Sequence, residues 1–186
     1  MMKSVIEKAI SYLAEAKTIL CPTDTIWGIS CDATSFEAIE DIYLLKKRDK
    51  AKSLIVLVSS LEMLQEYVES VSSEALAIIL ETKNPLTVIY SNPKNLPLNS
   101  LAGDGSIAIR WVKQGFCNAL ISAFGKPIIS SSANFSNEKT ALTFTDIDNN
   151  FKEQVDFIVD EKFESSNHKS SKIIKLLSKE IIVIRD

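Results

Sequence analysis

Within seven residues the chain carries Lys46, Lys47, Arg48, Lys50 and Lys52, interrupted by one acid, Asp49. Two kinds of chemistry suit such a cluster. Cations at the end of a helix complement the negative pole of the last carbonyls, and taken alone they read as a solvated terminus. The same charges facing inward would form a site for phosphate or carboxylate, since arginine offers two parallel hydrogen bonds and lysine a point charge. The neighbouring motifs favour the second reading. Pro22 to Gly28 (PTDTIWG) and Ser130 to Asn134 (SSSAN) are rich in hydroxyl and amide groups and read as loops that follow strands. Ligands bind at such positions in α/β folds. Neither GxxxxGK[ST] nor GxGxxG occurs, so side chains must hold phosphate in place of a glycine-rich loop.

Other chemistries have little to be built from. The single histidine, His168, lies in the polar stretch ESSNHKSS, which reads as a loop. A Ser/His/Asp triad or a multi-histidine zinc site is therefore not expected, and no metal ligand is assigned. Cys21, Cys31 and Cys117 show no CxxC spacing and cannot all pair within one chain, which predicts a reducing compartment, the cytoplasm. With 21 Lys+Arg against 24 Asp+Glu, and a formal charge of -3, the surface as a whole does not match nucleic acid, so any basic site must be local. No apolar run approaches the roughly 18 residues of a membrane span, and Glu7 stands where a signal peptide would be apolar. No membrane association or export is expected.

The elements that must position these residues follow from periodicity. Val5 to Ala14 carries apolar residues at helical spacing, and a strand is expected near Thr18 to Cys21. Thr34 to Lys47 reads as a helix opened by a Thr34/Glu37 capping box. LIVLV at Leu54 to Val58 reads as a buried strand, and Ser59 with Glu62 as a second capping box. Further helices are expected near Glu74 to Glu81 and Gln114 to Phe124. LTVIY, SIAIR, PIIS, DFIVD, SKIIKLL and EIIVI read as strands, Ser91 to Gly105 as a turn-rich link, and Ser130 to Asn137 as a loop. Strands and helices alternate early and strands cluster late. That order predicts an α/β fold with a mixed, twisted sheet. At 186 residues, 46% hydrophobic and 24% charged, one domain spanning 1–186 is expected.

Taken together, the motifs resemble those of the YrdC/Sua5/TsaC group of threonylcarbamoyl-AMP synthases along nearly the whole chain. That family carries a PT(D/E)TVYG-like loop, a KxR motif, a GTxAxR strand, an STSAN loop and a late STIV strand followed by an arginine. The counterparts are Pro22 to Gly28, Lys46 with Arg48, Gly105 to Arg110, Ser130 to Asn134, Ser171 to Ile174, and Arg185. Each motif alone is weak, whereas six in order are specific. Trp27 stands where the family has tyrosine and Asp49 where it has proline. Asn137 replaces a glycine, and Lys172 and Lys175 replace a threonine and an aspartate.

The resemblance implies a YrdC-like domain whose mixed parallel and antiparallel sheet, with flanking helices, surrounds a concave, positively charged cavity. It implies that Lys46, Arg48, Ser132 and Asn134 form a catalytic tetrad around the nucleotide phosphates. Lys52, Ser106 and Arg185 would add contacts to ATP, and Thr25, Arg110 and Ser171 would hold L-threonine. The implied reaction condenses L-threonine, bicarbonate and ATP, accompanied by Mg2+ and without a tightly bound cofactor. Its products would be threonylcarbamoyl-AMP and pyrophosphate, feeding a tRNA threonylcarbamoyl-transfer machinery. Two further readings stay open at this point: a non-catalytic protein of the same fold that binds double-stranded RNA, and a YciO-like paralogue.

Overall fold

The computed structural model describes residues 2–50, 54–177 and 180–186. Among them the strands are β1 (Ile19–Pro22), β2 (Trp27–Asp32), β3 (Ile55–Val58), β4 (Leu86–Tyr90), β5 (Ile107–Trp111), β6 (Ile128–Ser132), β7 (Phe157–Ile158), β8 (Lys172–Leu177) and β9 (Glu180–Arg185). They form one sheet in the order β7-β1-β2-β6-β3-β5-β4-β8-β9. The β1/β7, β3/β5 and β4/β8 pairs are parallel and the others antiparallel. A mixed sheet of this kind agrees with the α/β expectation. The helices are α1 (Met2–Ala14), α2 (Phe36–Lys46), α3 (Leu61–Tyr67), α4 (Ser73–Glu81), α5 (Gly115–Phe124) and the short α6 (Asn149–Lys152).

The central strands are buried on both faces: every residue of β1 and β2 is buried. Helix α1 turns Ile6, Ala9 and Leu13 inward, the i, i+3, i+7 stripe that the sequence displays. It packs against α5, β1 and β2, while α3 covers β3 and β5. The two sheet edges differ. Strand β7 has only two residues, and its Phe157 is stacked on Tyr12 with Lys8 over the ring. Strand β9 leaves Ile181, Ile182, Val183 and Ile184 exposed.

Several sequence expectations need correction. Strand β2 was hidden inside a segment that reads as loop followed by nothing regular. Trp27, Ile29 and Cys31 do alternate with Gly28, Ser30 and Asp32, but Gly28 and the PTDT residues ahead of it read as a turn, and Ser30 and Asp32 are buried although polar. Pro22, Trp27 and Gly28 consequently belong to strands, and only 23–26 turn between them. Ser130 to Ser132 likewise belong to β6, not to a loop, because β2 pairs with all three and β3 pairs with Ser130 on the other side. Gly28 permits that pairing: a Cβ there would collide with Ser130 Oγ and come within 3.2 Å of the Ser131 carbonyl. The caps also shift by one residue. Thr34 spends its N–H and hydroxyl on Asp32 Oδ1, at 2.8 and 2.6 Å, so Ser35 caps α2 by accepting from Ala38 N. Ser60, rather than Ser59, caps α3 by accepting from Met63 N at 3.1 Å.

Candidate active site

Helix α2 ends in a way that separates its cations. Lys47 adopts the left-handed conformation with φ 51°, its N–H donates to Leu44 O, and the N–H of Arg48 reaches back to Tyr43 O at 2.9 Å. This Schellman arrangement places a non-glycine residue where glycine is usual. The Lys47 ammonium lies 5.6 Å from the Phe135 ring, and Lys50 pairs with Glu40 on the surface. Lys46, on the last turn, is only 1% exposed. Its Nζ donates to the carbonyls of Ser132 and, at 2.6 Å, Asn134, while its own carbonyl accepts from Ser136 N at 2.9 Å. Lys46 therefore clamps the turn that follows β6. Burial first, and then the neighbouring Arg48 charge, pulls its ammonium down to about 7. The two carbonyls oppose that pull because they bind the charged form.

Arg48, half-buried, lines two adjoining spaces. One is a cavity of about 300 Å³ and the other a recess of about 170 Å³ that also contains Lys46, Ser132, Asn134 and Ser136. Burial lowers the pKa of Arg48, and Tyr43 and then Asp49 act in the opposite sense. Asp49 is exposed at the rim of the recess, so this acid favours the arginine's charged form. Asn134 donates through Nδ2 to Phe135 O at 2.8 Å, but its Oδ1, like Ser136 Oγ, is buried with no hydrogen-bond partner among the described residues. Buried polar atoms are seldom left so.

The cavity floor follows the sheet register. Ser130, Ile55, Ala108 and Ile89 lie in one cross-strand file, and Arg110 lies opposite Thr87 in the next. The 23–26 turn, Ser171 ahead of β8, and Arg185 at the end of β9 form the walls. Among the described residues lining it are three arginines, Arg48, Arg110 and Arg185, and no acid.

Arg110 and Arg185 converge on one hydroxyl. Arg110 Nη1 donates to Ser171 Oγ at 3.3 Å and Arg185 Nη2 to the same atom at 3.1 Å, while Arg185 Nε holds Ser171 O at 2.9 Å. With both lone pairs so used, Ser171 donates its own proton to Thr87 Oγ1, 2.8 Å away. Arg110 Nη2 also reaches Thr25 Oγ1 at 3.4 Å. Since Thr23 donates to Ile26 O, Thr25 passes its proton to Thr23. Burial and then the Arg110 charge lower the pKa of Arg185.

The structure thus gathers Lys46, Arg48, Ser132 and Asn134 at one recess, and Thr25, Arg110, Ser171 and Arg185 at the cavity it joins. Ser106 does not line either space. It precedes Ala108 and Arg110 on the same face of β5, and its hydroxyl donates to Asp104 Oδ1 at 2.5 Å. Lys175 pairs with that aspartate and Lys172 with Asp186. Lys52 lies outside the described residues. His168 sits at the surface loop, its Nδ1 3.2 Å from Leu142 O. Trp27 is buried and donates through Nε1 to Glu164 at 2.6 Å. Residues that the motifs did not single out are Asp24, paired with Arg110, along with Thr87 and Ser136. Asp24 stands inside PTDT, and its charge between two threonines was the available signal. Thr87 and Ser136 gave none beyond ordinary hydroxyls.

Known proteins resemble the chain in sequence and in fold. The family model Sua5_yciO_yrdC, described as telomere recombination, matches residues 11–186. The threonylcarbamoyl-AMP synthase of Pseudoalteromonas translucida is 30% identical over 172 residues, covering 91% of this chain and 92% of its own. That of Psychromonas ingrahamii is 34% identical over 154 residues, covering 81% and 80%. The crystal structure of P. abyssi Sua5 complexed with L-threonine superposes with a TM-score of 0.89 at 24% identity, over 97% of this chain and 53% of the other. The chain therefore spans about half the length of that protein. A family-model match through residues 11–186, with relatives at 30% identity or more over most of their length, means that this chain belongs to the Sua5/YciO/YrdC family.

Proposed function

We propose that the chain is a threonylcarbamoyl-AMP synthase, condensing L-threonine, bicarbonate and ATP. The observation that carries the reading is the convergence of Arg110 and Arg185 on Ser171 in a cavity that shares Arg48 and Ser132 with the Lys46/Asn134 recess. A carboxylate at Arg110 and phosphates at Arg48 would then lie within one continuous space. Relatives bearing that name, at 28–34% identity, support the assignment.

The threonine ammonium group gives up a proton, and the resulting amine condenses with bicarbonate, releasing water, to give a carbamate. A carbamate oxygen attacks the α-phosphate of ATP, the bond to the β-phosphate bridging oxygen breaks, and pyrophosphate leaves. Such nucleotidyl transfer asks the protein chiefly for alignment and charge neutralisation. In the described part of the site, arginines, a lysine, hydroxyls and an amide supply both, and no histidine lines it. Arg48 and the backbone and side chain of the 132–136 turn face the phosphates, and Arg110 with Ser171 holds the carboxylate. Lys46 acts on the phosphates through the turn it clamps. Mg2+ arrives as the ATP complex, a substrate component, since the lining offers cations and hydroxyls in place of a carboxylate cluster. The mixed anhydride hydrolyses readily, which suits a water-poor cavity and an acceptor that collects it promptly for tRNA modification. Three free, buried cysteines suit a reducing cytoplasm.

The test is pyrophosphate release from ATP and bicarbonate with and without L-threonine, with L-serine alongside. Release that requires threonine is expected. Salt-sensitive binding to double-stranded RNA with no threonine-dependent pyrophosphate would overturn the reading in favour of a non-catalytic binder.

A further inference from the structure

Arg110 is 5% exposed and carries a full charge into a site that already holds Arg185. Its bonds to the hydroxyls of Ser171 and Thr25 are long, 3.3 and 3.4 Å, and its Nε is buried without a partner. The remaining contact is one of charge: Asp24 Oδ1 lies 3.1 Å from Arg110 Nη2 without hydrogen-bond geometry, on a side chain 13% exposed. Asp24 does not line the substrate cavity. It borders a second space of about 640 Å³ that shares only Thr23 with the first, and Asn167 Nδ2 pins its backbone carbonyl at 3.0 Å. The carboxylate therefore grips Arg110 from outside the chamber in which Arg110 meets its ligand.

Two consequences follow from this placement. An acid on one side of a guanidinium draws that side toward it by charge and leaves the other donors toward the cavity, so Asp24 orients Arg110 electrostatically. Asp24 also sets the local charge. Arg110 and Arg185 against Asp24 leave a surplus of one positive charge, where the two arginines alone would leave two. A surplus of one accepts a carboxylate without driving away the ammonium group a few ångströms along the same amino acid. A surplus of two repels that ammonium and favours anions that lack one.

We propose that Asp24 is a positioning and specificity-determining residue, which tunes this end of the cavity to zwitterionic amino acids over simple carboxylates. This rests on the threonine-carboxylate role given to Arg110 above. The probe is (R)-3-hydroxybutyrate, which is threonine without its amino group, used as a competitor in the pyrophosphate assay. In the unaltered protein it should compete at least about 10-fold more weakly than threonine binds. Asp24→Asn should raise the KM for threonine about 10- to 100-fold while shifting the KM for ATP by less than about 3-fold, as expected when one partner of a buried ion pair loses its charge. In the same variant, inhibition by 3-hydroxybutyrate should tighten. Asp24→Glu, which keeps the charge, should retain the exclusion.

A threonine KM unchanged in Asp24→Asn overturns the proposal. So does a parallel rise for threonine and ATP with 3-hydroxybutyrate inhibition unmoved, which is the signature of a merely structural residue. If Asp24→Asn does not fold, the unaltered protein still decides: equal affinity for threonine and its deamino analogue overturns the proposal. Absence of any threonine-dependent pyrophosphate from the unaltered protein overturns the functional reading and this role with it.

Discussion

Replacing Lys46 by methionine should remove a pH dependence of stability whose sign runs against the usual expectation for a lysine. In the folded protein the ammonium titrates at about 7, below the ordinary value of 10.5, because it is buried and faces Arg48. Between those two values the unfolded chain binds a proton that the folded chain has released, so raising the pH favours folding. The gain begins as pH passes the folded value and is complete at the unfolded one. Over the interval from about pH 6 to about pH 9 nearly two pKa units of this difference are realised, worth about 2 to 3 kcal/mol at 1.36 kcal/mol per unit. The carbonyls of Ser132 and Asn134 hold the charged form and draw the figure toward the lower end. Urea unfolding of both proteins at the two pH values isolates this contribution, because the other titrating groups cancel in the double difference. The unaltered protein should gain about 2 kcal/mol more than Lys46→Met on going to the higher pH. Identical pH responses would show that Lys46 stays protonated throughout and would refute the reasoning.

Two further substitutions probe the backbone. Gly28→Ala should cost about 1 to 3 kcal/mol, since its new Cβ meets Ser130 Oγ in the middle of the sheet; chemical denaturation reads the loss. Asn137 has φ 70°, a conformation glycine adopts freely and asparagine tolerates. Asn137→Gly should therefore leave stability within about 1 kcal/mol, while β-branched Asn137→Val should lose about 1 to 2 kcal/mol by thermal melting.

The sequence made visible whatever depends on periodicity and on clustered charge. Helix α1, strands β3, β4, β5, β8 and β9, and the proximity of Lys46 and Arg48 to a hydroxyl-rich turn could all be read from it. It concealed β2, because the short alternation of Trp27, Ile29 and Cys31 with Gly28, Ser30 and Asp32 follows directly on the turn residues PTDT and contains a glycine, so the whole stretch reads as loop. It also concealed the difference between Lys46 and Arg48. Two residues of a cation cluster look alike until the left-handed turn at Lys47 sends one under the 132–136 turn and the other into the cavity. Arg110 stood out in the sequence through its motif. Its aspartate did not, because the pair joins residues 24 and 110 across the fold. The glycine-to-asparagine exchange at position 137 looked disruptive as a change of residue type, yet the backbone angle it must satisfy is one that both residues reach.

The lateral order of the sheet bears on when the protein becomes competent during its own synthesis. Strand β8 enters parallel to β4, a partner made far earlier, and Ser171 and Arg185 flank the two last strands. Until β8 docks, Arg110 has its aspartate but not the serine that it shares with Arg185. Long-range parallel closure of this kind is slow relative to local pairing, so a nascent chain holds a folded half-sheet with an unfinished cavity. The strand paired to β8, β9, carries the exposed run Ile181 to Ile184 at the sheet edge, on which two such chains could pair before either had closed. Refolding yield should accordingly fall as protein concentration rises, with the loss confined to the step that builds β8 and β9.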